Sequence, residues 1–136
     1  MSKYSIKELW NERFGKKDEV YDYSGRLMLK SACGNYNSSY QPTIDHIRPL
    51  SAGGKDTKEN IIICHYETNE EKSDCFPHWK TNDIRYHARK KKGIQNGYEI
   101  VKEGWKYVFQ NQTVIIKHQL QTLFCAPRFR TCTHSI

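Results

Sequence analysis

The stretch from Thr43 to Lys72 limits the possible folds more strongly than any other part of the chain. A short segment at 43–50, in which Ile44 and Ile47 flank a polar pair, is followed by a loop with two adjacent glycines, and then by the β-branched run NIIICHY. Adjacent glycines and small polar residues form no regular element, whereas β-branched runs are typical of strands. The polar segment ETNEEKSD comes next, and Pro77 ends any helix that it forms. The sequence therefore predicts strand, loop, strand and helix, in that order, over 43–74.

The N-terminal part of the chain predicts a further helix. Ser5 and Glu8 form the pattern of a helix N-terminus, and Gly15 is typical of the residue that follows a C-terminus. A helix is therefore predicted between Ser5 and Gly15. The apolar segment at 25–35 fits either a helix or a buried strand, and its periodicity does not decide between them.

The C-terminal part predicts strands. The segments at 83–93 and 98–118 carry β-branched and aromatic residues around Gly and Asn turns. With 136 residues, the chain is large enough for one modest core and too small for two. We expect a single α+β domain, with its central motif at about 40–75 and a β-rich extension at 95–136.

The net charge favours a polyanionic partner. Twenty-two lysines and arginines stand against fifteen aspartates and glutamates, which gives a formal charge of +7. Such an excess is typical of nucleic-acid-binding proteins, although many basic proteins are merely soluble. No segment approaches the roughly 20 apolar residues of a membrane span, and the N-terminus lacks the apolar core of a signal peptide. We therefore expect a cytoplasmic protein with no membrane association.

The dipeptide Asp45-His46 offers the groups that phosphodiester hydrolysis needs. Histidine accepts a proton from water near neutral pH, and a hard divalent cation stabilises the charge on the phosphate. Neighbouring residues of a strand point to opposite faces, so Asp45 can face the metal while His46 faces the water. Asn69 is placed to supply a second oxygen ligand. The amide of Asn60 can tie the long loop to backbone groups.

These residues, in this order, resemble the HNH endonucleases. Asn60 follows His46 by fourteen residues and Asn69 follows by nine more, with RPLSAGG after the histidine and NEEK closing the set. The resemblance implies a ββα-metal fold in which His46 is the general base and Asp45 and Asn69 bind Mg²⁺ or Mn²⁺. It also implies that Asn60 fixes the loop and that Lys72 faces phosphate. Zinc-stapled members of the family carry CxxC pairs, and this chain has none.

Two alternative ligand assignments stay open. His65 competes with Asn69 for the third position of the motif, although a strand position points it less well toward the site. Cys64, His65, Cys75 and His78 offer a zinc ligand set, but their spacing matches no common zinc module.

The densest basic run lies downstream of the motif, in the segment HARKKKG. Beside a nuclease motif in a chain of charge +7, such a run indicates phosphate contact, whereas in most proteins it is a solvated strand or turn. The predicted substrate-binding residues are Arg89, Lys90 and Lys91 in this run, with Lys80 and Arg85 upstream of it.

The favoured hypothesis is a metal-dependent DNA endonuclease of phage or mobile-element type. One site cuts one strand, so a monomer is expected to nick DNA, and a double-strand break requires a homodimer or two encounters. The alternative is a nucleic-acid-binding protein that uses an HNH-like core without catalysis. A binding protein has no need for Asp45, which favours the enzyme.

Overall fold

The computed structural model of the protein describes residues 2–104 and the backbone of a short strand at 108–109. The fold mixes helices with antiparallel strands, which confirms the predicted α+β class. In the described residues, no helix has the length and apolar character needed to cross a membrane. The helices are α1 (Ile6–Phe14) and α2 (Tyr66–Lys72), and the strands are β1 (Glu19–Tyr21), β2 (Leu27–Leu29), β3 (Pro42–His46), β4 (Ile61–His65), β5 (His78–Thr81), β6 (Ile84–Lys90), β7 (Tyr98–Lys102) and β8 (Val108–Phe109).

The described strands form three antiparallel sheets. Strands β1 and β2 pair with each other, β3 pairs with β4, and the four remaining strands follow in the order β5-β6-β7-β8. Helix α2 begins directly after β4, so β3, β4 and α2 form the predicted strand, loop, strand and helix. In the β3–β4 ladder, Asp45 is opposite Ile62 and His46 is opposite Ile61. The ladder therefore holds both residues of the dipeptide at its loop end.

Strand β3 is shorter than the sequence predicts. It ends at His46, whereas the prediction extended it to Leu50. The backbone N–H of Arg48 donates to the side chain of Asn60 at 2.9 Å instead of to a strand partner. A short 3-10 helix at Leu50–Ala52 follows, so the chain turns away from the ladder.

Strand β4 is buried on both faces and joins the two hydrophobic clusters of the described residues. Ile61 and Ile63 pack in one cluster with Trp10 of α1. Ile62 and Cys64 pack in the other, which also contains residues of β5, β6 and β7. Because alternate residues of a strand point to opposite faces, a strand between two apolar layers is hydrophobic throughout.

Helix α1 confirms its prediction. Its first residue follows Ser5, whose hydroxyl accepts a hydrogen bond from the backbone N–H of Glu8 at 3.4 Å, and Gly15 follows its last residue with a φ of 64°. The indole of Trp10 is fully buried and donates to the carbonyl of Lys17 at 2.9 Å. Arg13 donates to the carbonyl of Ile61 at 2.7 Å, which ties α1 to the start of β4.

The other strands can be compared with the sequence predictions one by one. The undecided segment at 25–35 contains β2 and a 3-10 helix at Lys30–Ala32. Strand β6 lies within the predicted segment at 83–93, whereas β1 and β5 were not predicted. Strands β7 and β8 belong to the predicted extension at 95–136, and the rest of that extension lies outside the described residues.

The loop between β3 and β4 is held by the side chain of Asn60, which is fully buried. Its Oδ1 accepts from the Arg48 N–H, and its Nδ2 donates to the carbonyls of Arg48 and Lys55 at 3.0 and 2.8 Å. Gly54 lies against this network, because a Cβ added there would overlap the Arg48 carbonyl and lie 3.0 Å from Asn60 Nδ2. Only glycine leaves room for the loop to close this tightly.

We expect Gly54→Ala to lower the free energy of unfolding by more than about 2 kcal/mol, because the backbone carbonyl of Arg48 cannot move aside cheaply. Urea denaturation followed by circular dichroism measures the change. Gly34→Ala is the control, since Gly34 has a φ of 78° but open space around its Cα. The control should lose only about 1 kcal/mol, the cost of a left-handed backbone. Equal losses in the two variants would show that the loop has room at Gly54.

Candidate active site

Asp45 places a carboxylate inside the protein, where it is 9% exposed. Its Oδ2 has no hydrogen-bond partner among the described residues and lies 3.5 Å from the ammonium of Lys72, a long ion pair. Burial raises the pKa of the Asp45 carboxyl, and the neighbouring Lys72 and His46 offset that rise only in part. The site therefore holds a desolvated carboxylate oxygen with unused capacity to bind a cation.

Lys72 is buried rather than directed at solvent. Its side chain has no exposed surface, its Nζ donates to the carbonyl of His46 at 3.2 Å, and it lies 5.0 Å from the ring centre of Trp79. The resemblance implied that Lys72 faces phosphate. In the structure its ammonium instead faces Asp45, where it partly neutralises the carboxylate.

Asn69 lies on α2 and is anchored to β3 beside Asp45. Its Nδ2 donates to Thr43 Oγ1 at 3.0 Å and reaches the carbonyl of Ile44 at 3.5 Å. Thr43 and Asp45 share one face of β3, since residues two apart in a strand point the same way. The Oδ1 of Asn69, which accepts no hydrogen bond within the described residues, is left as a second oxygen on the face of β3 that carries Asp45. Two such oxygens fit a hard divalent cation.

Asp22 positions the N-terminal end of α2. This fully buried carboxylate accepts from the backbone N–H of His65 at 2.9 Å and from Thr68 Oγ1 at 2.6 Å, and it also accepts from residues of the β1–β2 turn, Ser24 among them. The sequence did not single out Asp22. Its only signal is the Asp-x-Ser pattern of a turn, which indicates local structure rather than a contact with a distant helix.

His65 is occupied at both ring nitrogens. Its Nε2 donates to the carbonyl of Ser39 at 2.7 Å, and its Nδ1 accepts from the backbone N–H of Glu67 at 3.0 Å, which caps α2. The alternative in which His65 takes the place of Asn69 is therefore disfavoured, because neither nitrogen is available to a metal.

His46 is paired with an acid that the sequence did not identify. Its Nε2 lies 2.8 Å from Asp56 Oδ1, and Asp56 also accepts from Ser2 Oγ and from the Lys3 N–H, each at 2.8 Å. Partial burial acts to raise the pKa of Asp56, but the hydrogen bonds from Lys3, His46 and Ser2 outweigh it and lower the pKa to about 2. Asp56 is thus ionised and can only accept a hydrogen bond, which places the proton of a neutral His46 ring on Nε2. The basic nitrogen is then Nδ1.

The comparison with family models matches residues 31–74 to the HNH endonuclease family. This part of the chain is an HNH endonuclease domain. The matched segment contains β3, the loop, β4 and α2 and therefore all four residues of the predicted motif. The comparisons with curated proteins and with solved structures give no match.

The predicted basic residues lie mainly on another surface. Trp79 and Tyr86 point from β5 and β6 into the core that the four-stranded sheet shares with the HNH domain. Lys80, Arg85 and Arg89 alternate with these core residues, so they lie on the opposite face of the sheet.

The structure therefore does not bring this group to Asp45 and His46. Arg89 also forms an ion pair with Glu99 at 2.6 Å. Lys90 is exposed at the end of β6, and Lys91 follows it half-buried. Contact between these residues and phosphate stays a prediction.

We expect Lys72→Met to lower the free energy of unfolding by about 3–5 kcal/mol, because it leaves the buried Asp45 carboxylate without a compensating charge. The double variant Asp45→Asn/Lys72→Met should recover part of this loss. Urea denaturation of wild type, both single variants and the double variant gives the coupling energy. Lys92→Met, at an exposed lysine, is the control and should change stability by no more than about 0.5 kcal/mol. If Lys72→Met is as stable as the control, the ammonium does not compensate Asp45.

Proposed function

We propose that the protein is a metal-dependent DNA endonuclease that hydrolyses phosphodiester bonds. The observation that carries the proposal is the buried Asp45 carboxylate, whose Oδ2 has no hydrogen-bond partner among the described residues. Asp45 shares a face of β3 with Thr43, to which the amide of Asn69 is anchored. A desolvated carboxylate without full compensation is costly to a protein and is typical of a functional site. Membership of residues 31–74 in the HNH endonuclease family supports the same conclusion.

A divalent metal, Mg²⁺ or Mn²⁺, would be held by the oxygens of Asp45 and Asn69. When bound, it stabilises the negative charge that develops on the phosphate oxygens during hydrolysis. Asp45 contributes the charge, and Asn69 contributes a neutral oxygen whose direction is fixed by the two contacts of its Nδ2 to β3. Lys72 holds the carboxylate in place from within the protein and limits the repulsion of an anionic substrate by Asp45.

His46 acts as the general base through Nδ1. The ionised Asp56 holds the proton of the neutral ring on Nε2, so Nδ1 is free to accept a proton from the attacking water. After the transfer, the carboxylate of Asp56 stabilises the positive charge of the imidazolium, as an acid–histidine pair does in other hydrolases. Among the described residues, the side chain of Asn60 hydrogen-bonds to loop backbone alone, so it acts by positioning the loop that carries Asp56.

One such site cuts one DNA strand. The products carry a 5′-phosphate and a 3′-hydroxyl, as expected for the family, and a double-strand break requires a homodimer or two successive encounters. Residues Lys80, Arg85, Arg89, Lys90 and Lys91 then contribute to DNA affinity away from the scissile phosphate, in keeping with a sheet face that points away from the HNH domain.

A non-catalytic nucleic-acid-binding protein is the second candidate, and one observation favours it. The ammonium of Lys72 lies 3.5 Å from Asp45 Oδ2 and supplies positive charge there without any metal. If this pair is permanent, the carboxylate has a structural use and the domain only binds DNA. Cleavage assays separate the two functions.

We expect purified wild type to convert supercoiled plasmid to open circle with Mg²⁺ or Mn²⁺ and to be inactive in EDTA. His46→Ala should lower the cleavage rate by about 10²–10⁴-fold, because proton transfer by a positioned base contributes about that much. DNA affinity, measured by fluorescence anisotropy, should stay the same, since His46 is assigned to proton transfer and not to phosphate contact. Plasmid that is bound but never cut with either metal would establish the binding protein instead. Equal loss of binding and cleavage in His46→Ala would show that the base is assigned wrongly.

We expect the cleavage rate to rise between pH 5 and pH 8, because a general base acts only in its deprotonated form. Asp56 does not cause this rise, since its pKa of about 2 keeps it ionised throughout. In Asp56→Asn the amide can donate to Nε2 and move the ring proton to Nδ1, so the rate at pH 8 should fall at least about tenfold.

Ser2→Ala is the matched control for this pH profile. It removes one hydrogen bond from Asp56 but keeps the carboxylate, so its rate and pH profile should remain close to those of wild type. A flat profile in wild type, or an unchanged rate in Asp56→Asn, would contradict the proposed base and its partner.

A further inference from the structure

Two histidines and a glutamate meet on the face of the four-stranded sheet that points away from the HNH domain. His78 on β5 is directly opposite His87 on β6. Glu103 follows β7, and its N–H donates to the carbonyl of Arg85 at 2.9 Å, which extends the β6–β7 pairing and places its side chain beside His87. One ligand atom from each of the three side chains lies within 4.8 Å of the other two.

The contacts inside this cluster leave one of its ring nitrogens without a hydrogen bond. His78 Nδ1 lies 2.9 Å from Glu103 Oε2. His87 Nδ1 is buried, has no hydrogen-bond partner among the described residues, and lies 3.5 Å from the same carboxylate oxygen. A buried ring nitrogen without a hydrogen bond costs free energy unless another group binds it. The cluster therefore has an unused ligand atom directed at its centre.

We propose that His78, His87 and Glu103 bind one divalent transition-metal ion, with Zn²⁺ as the best fit. The site joins β5, β6 and the end of β7, and it contains none of the residues assigned to catalysis. In the described part of the chain this is the one set of three His, Cys, Asp or Glu side chains close enough to share an ion. Of the four zinc ligands that the sequence offered, only His78 belongs to it.

The donor set selects the class of metal. Two imidazoles and one carboxylate suit Zn²⁺ and its neighbours in the transition series, whereas Mg²⁺ and Ca²⁺ prefer oxygen ligands. In a tetrahedral zinc site with bonds of about 2.0–2.1 Å, ligand atoms are separated by roughly 3.3 Å. The distance from His87 Nδ1 to Glu103 Oε2 is already close to this at 3.5 Å. The 2.9 Å contact of His78 has only to lengthen by a few tenths of an ångström.

The partial exposure of the three side chains also suits a metal ion that keeps one coordination position open. The side chain of His78 is 69% exposed, and those of His87 and Glu103 are 32% and 31% exposed. Three protein ligands at a half-exposed position leave a fourth position for water. Metal binding at this site cross-links three strands, so it should stabilise the sheet in proportion to metal occupancy.

The test is a Zn²⁺ titration of the metal-stripped, full-length protein at pH 7.5, in excess Mg²⁺ that occupies sites built from oxygen ligands. Nitrogen-15 NMR of the histidine rings identifies the ligands, with the signals of His78 and His87 assigned from the spectra of His78→Gln and His87→Gln. Competition with a chromophoric chelator gives the affinity, and thermal denaturation gives Tm. Glu103→Gln tests the carboxylate, and Glu19→Gln, at an exposed glutamate of β1, is its matched control.

We expect Zn²⁺ to shift the ring signals of both His78 and His87 at one equivalent and to raise Tm. His78→Gln and Glu103→Gln should each weaken this binding at least about tenfold, whereas Glu19→Gln should bind Zn²⁺ as wild type does. Because His78 is mostly exposed, His78→Gln should remain folded, and its Tm without metal checks this. The proposal is overturned if Zn²⁺ leaves both ring signals unchanged, or if the two ligand variants bind as tightly as wild type. In that case the cluster is a plain imidazole–carboxylate contact.

Discussion

The candidate site depends on the buried ammonium of Lys72. It lies at the last residue of α2, faces the carboxylate of Asp45, donates to the carbonyl of His46 and rests on the ring of Trp79. One side chain thus connects the helix, both residues of the dipeptide and the neighbouring sheet. A buried charge is tolerated only when its partners hold it closely. The position of the Asp45 carboxylate therefore depends on how the helix and the sheet pack around Lys72.

Strand β3 separates the two halves of the proposed reaction. Asp45 points to the face that α2 covers, where Asn69 is anchored. His46, the next residue, points to the other face, where Asp56 and the N-terminal residues hold its ring. Each group is therefore oriented by a different part of the chain, and the two environments can differ strongly although the residues are adjacent. A desolvated carboxylate and a hydrogen-bonded imidazole are compatible here because adjacent residues of a strand have different surroundings.

The sequence predicts the HNH domain well because its signals are local. Strand, loop, strand and helix follow one another within about thirty residues, and each has its own periodicity or turn signal. The partners that complete the sites are not local. Asp56 meets His46 only after the loop folds back, and Glu103 meets His78 only through the register of three strands. Lys72 was expected to face phosphate, and its burial against Asp45 depends on tertiary contacts that the sequence does not show, since lysine is rarely buried without a paired charge.

Strand β4 carries three consecutive isoleucines between two apolar layers, and this has a consequence for how the chain finds its alignment. In most half-buried strands, a slip by one residue exposes the hydrophobic face, and that penalty selects the correct pairing. Here Ile61, Ile62 and Ile63 are interchangeable in both layers, so hydrophobicity carries almost no information about alignment. The information resides in polar groups at the two ends of the strand, Asn60 at one end and the N–H of His65 bound to Asp22 at the other. These two buried hydrogen-bonding groups thus fix the register of an otherwise uniform strand. Through the pairing of β4 with β3, they also fix the positions of Asp45 and His46.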